Sequence, residues 1–256
     1  MNLKKLRKNA FTDHMVIRII FENHVIFLIN FMTTLRDAAF VDQNLIKLKL
    51  FIEKQTKLFF NYNVVFCLIE SKQVMKRGKP ITMDPPTFLS NNFPNLDITV
   101  IPYNKTSFSM NSIILGCVDS IKILKTEEYF ILDEHEHRSF PVFTLNSQEF
   151  IFGHAYFPRS LADVDIKIKH LALLNRYAVQ NNAIAFGDGN ISVYNQQDSI
   201  DTISSGLNLT LLKSFFGTDR DKYARDNIKS EKNMSSLDFV ASPFKIDLDI
   251  EMIEPL

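Results

Sequence analysis

The sequence predicts an α/β (α+β) chain, and three observations predict it. An apolar strand, a helix and a second apolar strand open the chain, a run of short strands follows, and a helix-to-strand alternation closes it. In the opening, Val25–Phe31 and Val64–Ile69 are strand-like apolar runs. Between them, Asn44–Phe60 carries Leu45, Leu48, Leu50, Phe51, Lys54, Leu58 and Phe59 in roughly helical spacing, and Asn61-Tyr62-Asn63 breaks it. Apolar strands on both sides of a helix are an α/β beginning. Lys76–Asn95 reads as a loop, because it holds Gly78, Pro80, Pro85, Pro86 and Pro94. Beyond it, Leu96–Ile101, Ile113–Val118, Ile121–Leu124, Tyr129–Leu132, Phe140–Leu145 and Phe150–His154 are short, β-rich and closely spaced. That pattern predicts antiparallel strands joined by turns. Leu161–Gln180 is the clearest helix, and Asn181-Asn182 ends it before the strand Ala183–Phe186. Asp198–Tyr223 reads as helical in parts, Lys229–Ser235 as a polar loop, and Leu237–Ser242 as a strand with a carboxylate inside it.

The 256 residues, 46% of them hydrophobic, can bury a sizeable core. No repeat and no Pro/Gly/Ser linker divides the chain. The expectation is one domain over residues 25–256, after a leading segment 1–24 whose first eight residues are basic. Lys and Arg (29) balance Asp and Glu (29), so the whole molecule exerts no net pull on phosphate. A monomer is expected. Cys67 and Cys117 both sit in apolar runs and read as buried free thiols, which fits a reducing, cytoplasmic compartment. Val25–Met32 is too short to cross a bilayer, and charged residues interrupt every earlier apolar stretch, so no secretory signal is expected. The 23 Phe and absent Trp reflect coding bias and carry no functional information.

Chemistry-bearing residues share one position: Asn30, Glu70, His154, Asp188, Asn190 and Asp238 each end or interrupt an apolar strand. Strand ends are where α/β folds build sites. Phe186-Gly187-Asp188-Gly189-Asn190 is the most informative run. In an extended segment Asp188 and Asn190 point the same way and together suit a hard cation or a bound water. The same letters are also turn-rich. Glu70 alone can be the first solvated residue after a strand, and His154 a hydrogen-bonded core histidine. Asp238, between Leu237 and Phe239, needs a partner if it is buried and ionised.

The ordered set resembles the endonuclease/exonuclease/phosphatase superfamily, the DNase I-like fold. Leu28-Ile29-Asn30 matches its early strand ending in Asn. Leu68-Ile69-Glu70 matches its strand ending in Gln-Glu, with Ile in place of Gln. Arg138-Ser139-Phe140-Pro141 follows the pattern of an Arg shortly before Pro and a strand. Ile151-Phe152-Gly153-His154 matches the strand ending in His, Gly187-Asp188-Gly189-Asn190 the Gly-Asp-x-Asn motif, and Leu237-Asp238-Phe239 the late Asp before an aromatic residue. The resemblance covers about Val25 to Ser242.

The resemblance implies a four-layer α/β sandwich, with two packed, mainly antiparallel sheets flanked by helices. It implies a metal-dependent phosphoester hydrolase of the phosphodiesterase, nuclease or phosphatase type. Glu70 would bind Mg²⁺ (or Mn²⁺). Asp188 and Asn190 would orient the attacking water and the phosphate, and His154 would donate to the scissile phosphate. Asp238 would belong to the catalytic set, with Arg138 and Asn30 on the phosphate. The substrate would be a phosphate ester, in a nucleic acid or a phospholipid headgroup. Lys72, Lys76, Arg77 and Lys79 are either a basic rim or a solvated loop. Two departures stand out. The family closes on Ser-Asp-His, yet no His follows His170 here, and Gly189 replaces the usual bulky residue. The alternative is therefore a non-catalytic DNase I-like protein that keeps a phosphate- or metal-binding cleft. An unrelated α/β protein with polar strand ends is a third reading.

Overall fold

A computed structural model describes residues 16–31, 38–73, 75–76, 78–102, 110–117, 122–131, 137–145, 148–154, 178–191, 208–211, 236–242 and 249–253. Its contacts divide the chain into two compact units: Met1–Ile121 with Leu248–Leu256, and Lys122–Asp247.

The first unit opens with β1 (Val16–Phe21), β2 (His24–Asn30), α1 (Ala38–Leu58) and β3 (Asn63–Lys72). A small hairpin, β4 (Met75–Lys76) and β5 (Lys79–Pro80), precedes α2 (Pro85–Asn92), β6 (Leu96–Pro102) and β7 (Met110–Cys117). The last strand of the chain, β14 (Asp249–Ile253), pairs with β1. Its six-stranded sheet runs β14-β1-β2-β3-β7-β6. Only β2 and β3 are parallel, as the intervening helix requires; the other described pairs are antiparallel.

The core of this unit lies between sheet and helices. Val25, Phe27 and Ile29 of β2, Val64, Phe66 and Leu68 of β3, and Ile113 and Leu115 of β7 form one face. Leu45, Leu48, Phe51 and Ile52 of α1 and Leu89 of α2 cover it. These α1 positions recur at helical spacing, so they make one stripe. Phe27 stacks on Phe66 at 5.2 Å and meets Phe51 edge-on at 5.7 Å. By strand alternation Ile26, Leu28, Cys67, Ile69 and Ile114 take the other face, and they too are buried.

The second unit holds β8 (Lys122–Ile131), β9 (His137–Leu145), β10 (Gln148–His154), β11 (Ile184–Ile191), β12 (Asn208–Leu211) and β13 (Ser236–Ser242). Its sheet runs β12-β13-β11-β10-β9-β8. Again one pair, β10 with β11, is parallel, and the others are antiparallel. Phe143, Phe150 and Phe186 are fully buried and pack on one another, with Phe143 and Phe150 stacked at 5.5 Å.

Several expectations change. Residues 16–21 of the leading segment are β1, an inner strand of the first sheet. The proline-rich loop contains α2: Asp84 caps it, accepting from Thr87 N at 3.2 Å and Thr87 Oγ1 at 2.6 Å. Pro85 and Pro86 occupy the first helical turn, where a missing N–H costs nothing. Ile121–Leu124 and Tyr129–Leu132 merge into β8, which absorbs register irregularities against β9. Of the helix predicted over 161–180, residues 178–180 are helical, and the rest lies outside the described residues. The helix continues to Asn181, and Asn182 takes a left-handed φ of 51° while Ala183 N donates to Ala178 O at 2.9 Å, a C-terminal cap that turns the chain into β11. Within Asp198–Tyr223 the described piece, Asn208–Leu211, is strand β12, and the rest lies outside the described residues. Lys229–Ser235 lies outside the described residues. Leu50 and Leu58, read as part of the apolar stripe of α1, are exposed.

Candidate functional site

The first unit brings Asn30 and Glu70 to one end of its parallel pair. Asn30 registers with Ile69, and Phe31 N donates to Ile69 O at 2.9 Å, which ties the two strand ends together. Asn30 follows Ile26 and Leu28 in the alternation, so it lies on the face away from α1, and it is buried.

At Glu70 the ladder to β7 slips. Leu68 registers with Ile113, but Ser71 registers with Asn111. Ile69 and Glu70 together therefore oppose Ser112, a two-against-one bulge. Without the slip, Glu70 would stand opposite Asn111, in phase with Leu68 and the core under α1. With it, Ser71 takes that position. Ser71 is fully buried, and its hydroxyl has no hydrogen-bond partner among the described residues.

The second unit assembles a longer row. His154, the last residue of β10, registers with Asp188 of β11, and Asp188 registers with Asp238 of β13. Three candidates from three separate chain segments thus stand side by side across neighbouring strands. β9 runs antiparallel to β10, so its start, with Arg138, lies at the end where β10 finishes in His154. The Gly-Asp-Gly-Asn run is not a turn: β11 continues through it to Ile191. Its ladder slips just past Asp188, because Ile191 registers with Ser236 and leaves Gly189 and Asn190 opposite Leu237. The two-residue alternation that would align Asn190 with Asp188 is interrupted there, since a bulge adds a residue to one strand only.

Asp188 and Asp238 are cross-strand partners in the register. Asn30 and Glu70 in the first unit, and Asp188, Asn190 and Asp238 in the second, are each hard oxygen donors. That chemistry fits Mg²⁺ or Mn²⁺ and suits soft metals poorly. Among the described residues, no cluster of three His, Cys, Asp or Glu side chains could hold a metal. Cys67 is fully buried, and burial raises its thiol pKa, so it is neither ligand nor nucleophile. The sequence carried no signal for either bulge, because a bulge is defined by the partner strand.

No protein-family model and no curated protein matches the chain. Solved structures do match. An endonuclease/exonuclease/phosphatase protein from Bacteroides vulgatus aligns with a TM-score of 0.53 at 12% identity, covering 90% of this chain and 87% of its own. A mannosyl-6-phosphatase from Bacteroides thetaiotaomicron aligns with a TM-score of 0.52 at 15% identity, covering 85% of each chain. D. rerio TDP2, complexed with a single-strand DNA product, aligns with a TM-score of 0.51 at 12% identity over 84% of this chain and 82% of that one. The chain therefore has the DNase I-like fold of the endonuclease/exonuclease/phosphatase proteins.

Proposed function

We propose that this protein is a metal-dependent phosphoester hydrolase. The observation that carries the reading is the row His154–Asp188–Asp238, set side by side by strand register at one end of the second sheet. Histidine and paired carboxylates are the groups that hydrolysis of a phosphate ester needs. Asp188 accepts a proton from the attacking water as its oxygen bonds to phosphorus. His154 donates to a phosphoryl oxygen, where negative charge accumulates as the bond to the leaving oxygen breaks. Arg138 offers a forked pair of donors to the phosphate. Asp238 keeps its neighbour His154–Asp188 pair polarised. Glu70 would hold Mg²⁺ or Mn²⁺, whose charge would offset that of a phosphate.

The fold supports a phosphate ester as substrate. Its likeness to a protein seen with a single-strand DNA product and to a mannosyl-6-phosphatase supports nucleic acid ends or small phosphomonoesters over other esters. The zero net charge argues against tight, charge-driven binding of long duplexes. Hydrolysis of single-stranded DNA, RNA, a sugar phosphate and a phospholipid in Mg²⁺ tests the reading, with Asp188→Ala as the control. Turnover of one substrate class that falls by about three orders of magnitude in the variant supports it. Turnover equal to that of the variant on all four refutes it.

One observation favours a second reading: no His follows His170 within these 256 residues, so they hold no match to the family's closing Ser-Asp-His. A non-catalytic protein would keep a cation at Glu70 without turnover. Titration with Mg²⁺ alone separates the two, since binding without hydrolysis selects the second.

A further inference from the structure

We infer that the turn from α1 into β3 is a docking surface for an anionic lipid bilayer. Phe60 is 77% exposed and Leu58 61% exposed, with Tyr62 also on the surface, so three large apolar side chains project within five residues. The patch continues up α1 through Leu50 (58% exposed) and Ile46 (50% exposed), which with Lys54 and Leu58 recur every four residues along one helix face. Single exposed apolar residues are ordinary; Leu58, Phe60 and Tyr62 exposed within five residues, with Leu50 and Ile46 further up the same helix, are not.

The charges around the patch decide the partner. Lys54 and Lys57 are exposed beside Leu58 and make no ion pair among the described residues. The acidic residue nearest to them in α1, Glu53, is already engaged by Lys49 at 3.6 Å. Apolar side chains that enter the acyl boundary, flanked by lysines at headgroup height, are the pattern of an interfacial surface. A second copy of this chain fits less well, because a two-fold contact through the patch would set Lys54 and Lys57 against lysines.

The turn enters β3 at Asn63, whereas Glu70 lies seven residues along the same strand, about 23 Å away at the usual rise. A bilayer held at the turn leaves the strand ends bearing Asn30 and Glu70 at the opposite end of the first unit.

Flotation of the full chain with phosphatidylcholine vesicles, with and without phosphatidylserine, tests the inference. Binding to the phosphatidylserine vesicles should be strong at low salt, weaken as salt rises, and fall about tenfold in Phe60→Glu. Lys54→Glu with Lys57→Glu should lose the preference for phosphatidylserine. The basic first eight residues can bind anionic vesicles by charge alone, so equal binding by wild type and Phe60→Glu overturns the inference. So does equal binding to both vesicle types. A dimer in sedimentation velocity that Phe60→Glu dissociates, without vesicle binding, assigns the patch to a second copy instead. Phe60 is a surface residue, and an unchanged melting temperature in Phe60→Glu confirms that any loss is local.

Discussion

The two units repeat one plan with different chemistry. Each sheet has six strands, and in each the central pair is parallel: β2–β3 in the first, β10–β11 in the second. In each, the second strand of that pair meets its antiparallel neighbour through a two-against-one bulge, and an acidic residue lies at or beside the slip. Glu70 is inside the first bulge; Asp188 is the last regular pair before the second. The first strand of each pair ends in a polar residue, Asn30 or His154. The chain departs from a strict repeat at its end, where β14 crosses back to pair with β1. The comparison teaches that the scaffold supplies strand ends and bulges, while the letters placed there set the role. The first unit presents a carboxylate and a carboxamide, suited to holding a cation. The second presents histidine and two carboxylates, suited to proton transfer.

That division can be broken by mutation. Asp188→Ala should lower turnover by about three orders of magnitude while Mg²⁺ affinity, followed by calorimetry, is retained. Glu70→Ala should do the converse, raising the Mg²⁺ requirement by about tenfold or more, with partial recovery at high Mn²⁺. If Asp188→Ala abolishes cation binding and Glu70→Ala leaves it intact, the roles of the units are exchanged.

A second comparison concerns the aromatic centres. Phe27 and Phe150 are each fully buried in a Phe cluster of their own unit. Truncation of either to Ala should cost about 3–5 kcal/mol, read from chemical denaturation. One shared transition that moves in both variants would mean that the units unfold together. Two transitions, each moved by one variant, would mean that they unfold separately.

Smaller effects belong to the first unit alone. Asp84→Ala removes the cap of α2 and should cost about 1 kcal/mol, whereas Asp84→Asn should retain most of it. His24 is 1% exposed and its pKa is lowered by burial, against a partial upward pull from Glu22. Folding therefore favours the neutral imidazole. Its contribution is fully present above the unfolded value of 6.5 and is lost as pH falls through the window below it. His24→Gln should flatten the stability curve between pH 6.5 and that lower value, and an unchanged acid limb would show that other groups govern it.

The fold class was legible because its signals are local. Apolar runs such as Val64–Ile69 cannot satisfy water, and the spacing of Leu45, Leu48 and Phe51 closes only on a helix. The candidate residues were legible as polar letters at the ends of those runs. The helix α2 was not, because proline density reads as loop until one notices that Asp84 can cap and that both prolines fall in the first turn. β1 was missed because Arg18 interrupts its apolar letters; its guanidinium lies 5.3 Å from the Phe59 ring centroid, a cation–π contact that the sequence order does not announce.

By itself the sequence determined which side chains each strand carries to its end, since alternation and burial are properties of a few neighbouring residues. Only the tertiary structure decided which of those ends stand together. His154, Asp188 and Asp238 are 34 and 50 residues apart along the chain, and strand register alone makes them neighbours. The bulges at Glu70 and beyond Asp188 were decided in the same way, because an extra residue exists only relative to the partner strand that lacks it.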